Sequence, residues 1–234
     1  MKEVKHVFLD LDRTLWDFEK NSQAALEQLY SDLSLKDILP SFEQFLKAYK
    51  EINARYWELY GLGKVSKENL RIGRFLDTLA SFQVYSAEIA EKLASGYVSI
   101  SPYQTNLFPG TKEALNELKS MNLNLSIITN GFKEVQFIKL NNSGLMHFFD
   151  EILCSEDIGI NKPNVEIFHA ALERNKVKKE QSIMVGDDFK ADIIGATRAG
   201  IRSVLFDYHK QFEERQEIER ITLLTELPSK IVGL

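Results

Sequence analysis

The first clear signal in the chain is Val7-Phe8-Leu9-Asp10-Leu11-Asp12-Arg13-Thr14-Leu15, an apolar run that ends in two carboxylates and a hydroxyl. The residues before Asp10 suit a strand that is buried on both faces, as in a parallel sheet. Because side chains alternate along a strand, Asp10 and Asp12 are expected on the same side where this strand ends. Ligands of open α/β sheets bind at the carboxyl ends of the strands. The pair therefore lies where a metal and a phosphate can bind, although Asp and Thr also occur in ordinary polar turns.

The composition is that of an ordinary folded protein with one large domain, or one domain that carries a sizeable insertion. Of its 234 residues, 44% are hydrophobic and 27% are charged. The formal net charge is -5, so no basic surplus favours a nucleic-acid polymer as a partner. Because Cys154 is the single cysteine, the chain forms no internal disulfide, and a structural zinc site is implausible.

The apolar stretch before Asp10 is too short for a secretory signal or a membrane span. No other run in the sequence approaches the length of a membrane span. We therefore expect a cytoplasmic protein that binds no membrane, and nothing in the sequence indicates its oligomeric state.

After Leu15 the pattern changes to a block of amphipathic helices with no strand between them. Four helical patterns follow, one starting near Phe18 and the others over residues 42–60, 66–82 and 86–99. From Phe108-Pro109-Gly110 onward strands and helices alternate, and the later strands are expected at 123–129, 151–154, 182–186 and 202–206. Such alternation predicts a parallel sheet with helices on both faces. We expect an α/β fold with a Rossmann-like parallel sheet flanked by helices over 1–15 and 100–234, and an inserted all-helical domain over 16–99.

Two further segments carry polar residues near predicted strand ends, and each is a weak signal alone. Thr129-Asn130-Gly131 closes the strand at 123–129, where a Thr hydroxyl can donate to a phosphate oxygen. Lys162-Pro163 precedes a helical pattern that runs through Phe168 and Leu172, and Pro suits the first turn of that helix. The ammonium group of Lys162 can neutralise phosphate charge and restrain a carboxylate. A Thr-Asn-Gly loop and a surface lysine are the ordinary alternatives.

A stronger signal follows the strand at 182–186, which ends in Gly186-Asp187-Asp188 with Asp192 one helical turn further on. Mg²⁺ prefers oxygen ligands and keeps several waters, so one or two carboxylates and a phosphate oxygen are enough to bind it. Asp187 is the best candidate for the second carboxylate. Asp188 and Asp192 can also be explained as acidic residues at a helix N-terminus. The sequence thus predicts a Mg²⁺ site at two strand ends, where a phosphate oxygen can complete the ligand set.

Together these segments resemble the four ordered motifs of the haloacid dehalogenase-like hydrolase superfamily. The resemblance covers the whole chain, and the helical block over 16–99 is similar to the cap domain that this superfamily inserts after the first motif. One departure is Arg13, where many members carry Gly. The motifs are carried by Asp10-Leu11-Asp12-Arg13-Thr14, Thr129, Lys162 and Gly186-Asp187 with Asp192.

The resemblance implies a Mg²⁺-dependent phosphomonoesterase in which Asp10 attacks phosphorus and forms an aspartyl-phosphate. Asp12 then protonates the leaving oxygen and later deprotonates the attacking water. Mg²⁺ is implied to bind the Asp10 side chain, the Asp12 backbone carbonyl and Asp187. Asp192 and Asp188 are implied to order this site from outside the metal's ligand set. The residues expected to bind the substrate are Thr14, Trp16, Thr129, Asn130 and Lys162.

The substrate is expected to depend on the segments near the first motif and in the cap. Trp16-Asp17-Phe18, Gly63-Lys64-Val65, Arg74-Phe75 and the segment 128–132 most resemble the bacterial pyrimidine 5'-nucleotidases. A nucleoside 5'-monophosphate is therefore the leading substrate, and Trp16 can offer its base a stacking wall. Packing of these aromatic residues between cap and core is the alternative.

Other functions of the same superfamily stay open to different degrees. A sugar-phosphate phosphatase or a phosphomutase shares the aspartyl-phosphate chemistry. A haloacid dehalogenase needs neither a metal nor an acid for the leaving group, and so Asp12 and Asp187 argue against it. The intact set of acids argues against a non-catalytic binding protein.

Overall fold

The structure is a computed structural model that describes residues 3–215 and 217–233. The chain divides into two compact units, one from Met1–Phe18 with Thr105–Leu234 and the other from Glu19–Gln104. We call the first the sheet unit and the second the helical unit. Among the described helices, none combines the length and the apolar character that a bilayer crossing requires.

In the described part of the chain, the sheet unit is built on six parallel strands in the order β3-β2-β1-β4-β5-β6. The predicted α/β fold with a parallel sheet is confirmed. The two residues of β6 were not predicted, because so short a strand shows no periodicity. The strands are β1 His6–Leu9, β2 Asn124–Thr129, β3 Glu151–Cys154, β4 Ser182–Gly186, β5 Arg202–Phe206 and β6 Arg220–Ile221.

The first strand lies in the middle of the sheet and is buried on both faces, as its apolar sequence predicts. Leu9 is in register with Ile127 of β2 and with Val185 of β4. Val7 and Leu9 pack in one apolar cluster, whereas Phe8 packs in another on the opposite face. The carboxyl ends of β2, β1 and β4 are therefore adjacent, and the residues that follow them meet at one edge.

Helices of the sheet unit cover the two faces of the sheet. One detail differs from the prediction: Pro163 precedes the helix instead of lying in its first turn. The Asn164 side chain accepts the Glu166 backbone N–H at 3.1 Å and caps the helix at Val165. An Asn side chain can satisfy a free N–H of the first turn, so the helix begins after it. These helices are α5 Thr111–Ser120, α6 Lys133–Asn142, α7 Val165–Arg174, α8 Gly195–Arg198 and α9 Leu227–Val232, with a π-helical segment at Phe189–Ile194.

The helical unit contains the four helices that the sequence predicts. Three of them are capped by serine side chains that accept a backbone N–H of the first turn, from Ser41, Ser66 and Ser86. Its apolar core includes stacked rings of Tyr49 and Phe75, 5.2 Å apart. The helices are α1 Phe18–Asp32, α2 Phe42–Gly61, α3 Lys67–Ala80 and α4 Ala87–Ile100.

Candidate active site

Three carboxylates converge at the carboxyl edge of the sheet. Asp10 directly follows β1, Asp187 directly follows β4, and Asp192 lies in the π-helical segment after β4. One carboxylate oxygen from each lies within 4.8 Å of the others. Gly186 makes this approach possible, because a Cβ there would lie 2.1 Å from Asp192 Oδ2. The parallel topology thus brings together acids that are far apart in the sequence.

The ammonium group of Lys162 is buried among these acids. It donates to Asp10 Oδ1 and to Asp192 Oδ1 at 2.6 Å each, and to the Ile128 carbonyl at 2.7 Å. An ammonium has three hydrogens, so these bonds use all of them. Burial alone would lower the pKa of Lys162, but the two carboxylates outweigh it and hold that pKa above its ordinary value. Lys162 therefore stays charged and restrains Asp10.

Negative charge is in excess at this edge, since three acids face one lysine. Burial raises the pKa of Asp10, and the pKa of Asp187 lies well above its ordinary value for the same reason and because Asp10 and Asp192 are near. Burial also raises the pKa of Asp192 to about 7. A carboxylate cluster with unbalanced charge is stabilised by a cation, and its oxygens are the ligands that Mg²⁺ prefers. Asp10 and Asp187 fit such an ion, whereas both Asp192 oxygens already accept hydrogen bonds, from Lys162 and from the Asp188 backbone N–H.

Three of the residues expected to bind the substrate are used inside the protein. Thr14 is fully buried, and its hydroxyl bonds Asp187. The Asn130 side chain donates to the Lys162 carbonyl at 3.0 Å and accepts the Lys162 backbone N–H at 2.8 Å, so it fixes the loop that carries this lysine. Trp16 is fully buried in the apolar cluster of the sheet unit. That placement accords with packing rather than with a stacking wall for a base.

Asp188 lies outside the acid cluster and is exposed. Its carboxylate accepts the backbone N–H groups of Lys190 and Ala191 at 2.8 Å each. This is the N-cap arrangement that the sequence offered as an alternative.

Arg13 has a φ of 67°, in the left-handed region that glycine enters most easily, which explains why a glycine suits this position.

Sequence reasoning missed two residues of α6, Gln136 and Lys139, that bind Asp12. Lys139 Nζ donates to Asp12 Oδ1 at 2.6 Å, and Gln136 Nε2 donates to Asp12 Oδ2 at 2.8 Å. Gln136 Nε2 also donates to Thr129 Oγ1 at 2.7 Å. Their signal in the sequence is slight: two polar residues three apart, on one face of the helix that follows Thr129.

Comparison with known proteins gives matches over almost the whole chain. A family described as haloacid dehalogenase-like hydrolase matches residues 7–206. A glyceraldehyde 3-phosphate phosphatase of Methanothermobacter thermautotrophicus is 33% identical over 223 residues, which cover 93% of this chain and 92% of that protein. The pyrimidine 5'-nucleotidase YjjG of Escherichia coli is 30% identical over 204 residues, which cover 87% of this chain and 86% of that protein.

A solved structure is also similar in fold. The crystal structure of the HAD-hydrolase YfnB of Bacillus subtilis, bound to magnesium, matches with a TM-score of 0.87 and 27% sequence identity. The match covers 99% of this chain and 100% of that one. YfnB thus shares this architecture, while the names of the two enzymes give them different substrates.

Proposed function

The chain belongs to the haloacid dehalogenase-like hydrolases, and from this premise we propose that it is a Mg²⁺-dependent phosphomonoesterase with Asp10 as its nucleophile. The observation that carries the proposal is the buried Lys162, which holds Asp10 at the end of β1 beside Asp187 and Asp192. A charged partner keeps a nucleophilic carboxylate ionised and oriented. The substrate is a small phosphate ester.

The proposed metal ligands are the side chains of Asp10 and Asp187 and the backbone carbonyl of Asp12. The excess of buried negative charge in this cluster supports the proposal, because a divalent cation balances it. When bound, the ion screens the repulsion between the Asp10 carboxylate and the phosphoryl oxygens. Asp192 acts through Lys162, to which it is bonded at 2.6 Å.

In the first step an Asp10 oxygen attacks phosphorus, the bond from phosphorus to the ester oxygen breaks, and Asp12 gives its proton to that oxygen. In the second step water attacks the aspartyl-phosphate, Asp12 takes the water's proton, and phosphate leaves with Asp10 restored. General acid catalysis of this kind contributes about 10²–10⁴-fold. Positioning and electrostatic stabilisation by Lys162 and the metal supply a further share of the rate enhancement.

The hydrogen bonds of Thr129 support the proposal that it binds a phosphoryl oxygen. Its Oγ1 accepts from Gln136 Nε2 at 2.7 Å and from the Gly131 backbone N–H at 3.0 Å. Both lone pairs of the hydroxyl are then in use, so its hydrogen is left to donate to a further acceptor. A phosphoryl oxygen bound at this edge supplies that acceptor.

Two substrate classes follow from the sequence and the comparisons. A nucleoside 5'-monophosphate is supported by the segments that resemble pyrimidine 5'-nucleotidases and by the similarity to YjjG. A small sugar phosphate is the second candidate, favoured by the burial of Trp16 and by the similarity to a glyceraldehyde 3-phosphate phosphatase.

The proposal is tested by measuring phosphate release from pyrimidine and purine 5'-mononucleotides and from triose and pentose phosphates, with Mg²⁺ and with EDTA. We expect Mg²⁺-dependent release from at least one class, without a bisphosphate activator. Asp10→Asn should lower turnover by at least about 10³-fold while the variant stays folded. A panel that is inert with Mg²⁺, or an Asn variant verified by mass that keeps wild-type turnover, would overturn the assignment. Turnover that requires a bisphosphate would identify a phosphomutase instead.

A further inference from the structure

Helix α6 carries two buried polar side chains, Lys139 and Gln136, that take no direct part in the proposed catalytic steps. Lys139 is 4% exposed and Gln136 is fully buried. Both point to the carboxylate of Asp12, which lies 127 and 124 residues away in the sequence. Burying an ammonium and an amide costs free energy unless each finds good partners. Their partner here is the proposed acid and base of the reaction.

The two side chains bind different oxygens of the same carboxylate. Lys139 holds Oδ1 at 2.6 Å and Gln136 holds Oδ2 at 2.8 Å. A carboxylate held at both oxygens cannot rotate about its own axis without breaking one of these bonds. A carboxyl group offers more lone-pair sites than these two bonds use, so a site on it, or a proton bound there, can face a substrate or a water.

Gln136 also ties Asp12 to the proposed phosphate-binding hydroxyl. The two hydrogens of its Nε2 go to Asp12 Oδ2 and to Thr129 Oγ1. Its Oε1 has no partner among the described residues. Gly131 leaves the room for this amide, because a Cβ there would lie 1.9 Å from Gln136 Nε2.

The surroundings of Lys139 fix its ammonium group. Its Nζ lies 4.2 Å from the centre of the buried Trp16 ring, which is a cation-π contact. The same Nζ lies 2.6 Å from Asp12 Oδ1. A buried ion pair of this kind is weak evidence of stabilisation, because apolar replacements often fold as well. Its consequence is the fixed direction of the Asp12 carboxylate. Trp16, expected from the sequence to meet the substrate, here supports the lysine.

We propose that Lys139 and Gln136 are positioning residues that fix the direction of the Asp12 carboxylate and couple it to Thr129. The inference rests on the proposed phosphatase function. A misplacement of about 1 Å in a reacting group can cost about 10²-fold in rate. Loss of either side chain therefore weakens proton delivery to the leaving oxygen while the nucleophile, Lys162 and the metal ligands stay as they are.

The test compares an alkyl phosphate with p-nitrophenyl phosphate in the variants Lys139→Met and Gln136→Met. An alkoxide needs a proton to leave, whereas p-nitrophenolate leaves without one. We expect kcat/KM to fall about 10²-fold for the alkyl ester and less than about tenfold for the aryl ester, with KM little changed. Gln136→Met should show the same selectivity with a smaller loss, and it serves as the second variant if Lys139→Met folds poorly.

The matched control is Lys133→Met, which removes an ammonium from the same helix. Lys133 is half exposed and pairs with Asp157 at 2.6 Å, away from Asp12. This variant should keep wild-type kinetics on both esters. Equal losses on both esters in the two test variants, or wild-type kinetics in both, would overturn the inference alone, because wild-type turnover would still support the phosphatase. A wild-type protein that releases no phosphate would overturn the proposed function, and this inference with it.

Discussion

The Thr14 hydroxyl lies 3.1 Å from Asp187 Oδ1 and accepts the Asp187 backbone N–H at 3.0 Å. These residues are 173 positions apart, and the two bonds join the turn after β1 to the end of β4. Thr14 is fully buried, so water does not replace these bonds readily. The same hydroxyl lies 3.4 Å from Asp10 Oδ2, so one side chain contacts both proposed metal ligands.

Thr14→Val keeps the shape of the side chain and removes these contacts with Asp187 together with the longer one to Asp10. The unpaired backbone N–H of Asp187 should lower the free energy of unfolding by about 1–2 kcal/mol. The concentration of Mg²⁺ that gives half-maximal activity should rise, because Asp187 is no longer held. Urea unfolding and a Mg²⁺ titration of phosphate release measure the two effects. Thr14→Ser keeps the hydroxyl and is expected to behave as wild type, and a Ser variant as impaired as Val would contradict the role of the hydroxyl.

Asp187→Asn removes a proposed metal ligand together with one of the crowded negative charges. We expect the half-activating Mg²⁺ concentration to rise about tenfold or more. In EDTA near pH 8 the same variant should resist urea better than wild type, because burial and the nearby acids raise the pKa of Asp187 and make its ionised form costly.

Asp188→Asn is the matched control for Asp187→Asn. It makes the same charge change one residue away, at an exposed cap that Asn can also form. Its Mg²⁺ requirement should stay within about twofold of wild type. Equal shifts in the two variants would show that general charge, rather than ligation by Asp187, sets the Mg²⁺ requirement.

Burial of His6 predicts that the stability of the protein depends on pH. Burial lowers the pKa of His6 from 6.5 to about 4, and its ring lies 3.0 Å from Ser126 Oγ. In the unfolded chain His6 binds a proton below pH 6.5, whereas in the folded protein its ring stays neutral until the pH approaches 4. Stability that is present above pH 6.5 is therefore lost as the pH falls toward 4. The loss attributable to His6 between pH 7 and pH 4.5 should be about 2.5 kcal/mol.

His6→Gln should remove this part of the pH dependence, because Gln keeps a polar partner for Ser126 and does not titrate. Urea unfolding of both proteins at pH 7 and pH 4.5 measures it. The difference between the two proteins cancels the contributions of the other titrating groups. Parallel losses in His6→Gln and wild type would refute the assignment to His6.

Much of the fold could be predicted because its signals are local. An apolar run that ends in acids marks a central strand, and parallel pairing then requires that Asp10 and Asp187 meet at one edge. The resemblance to the haloacid dehalogenase-like hydrolases, drawn from four short motifs, is confirmed by the family match over residues 7–206. These signals can be interpreted without knowing how the helices pack.

The contacts that could not be predicted depend on packing between distant elements. Lys139 meets Asp12 only because α6 is rotated so that its polar pair faces the end of β1, and no local pattern encodes that rotation. The position of Trp16 could not be predicted for a similar reason, because an aromatic residue beside a motif can either contact a ligand or pack in the core. The structure places it in the core.

Arg74 and Asn53 form a buried pair within the helical unit. Arg74 is 4% exposed, and its Nη1 donates to Asn53 Oδ1 at 2.8 Å. Its guanidinium lies 4.8–5.8 Å from the ring centres of Tyr49, Phe75 and Tyr97. Its Nε has no partner among the described residues. The charge is therefore stabilised by one amide oxygen and three ring faces.

Asn53→Leu removes that oxygen and leaves the guanidinium buried, so the free energy of unfolding should fall by about 3 kcal/mol. Adding Arg74→Met to Asn53→Leu removes the buried charge that the Asn53 oxygen had stabilised. The double variant should therefore be more stable than Asn53→Leu alone by about 1 kcal/mol or more. Urea unfolding of the wild type, both single variants and the double variant completes the cycle. Strictly additive losses would mean that the aromatic rings alone carry the charge and that Asn53 serves packing.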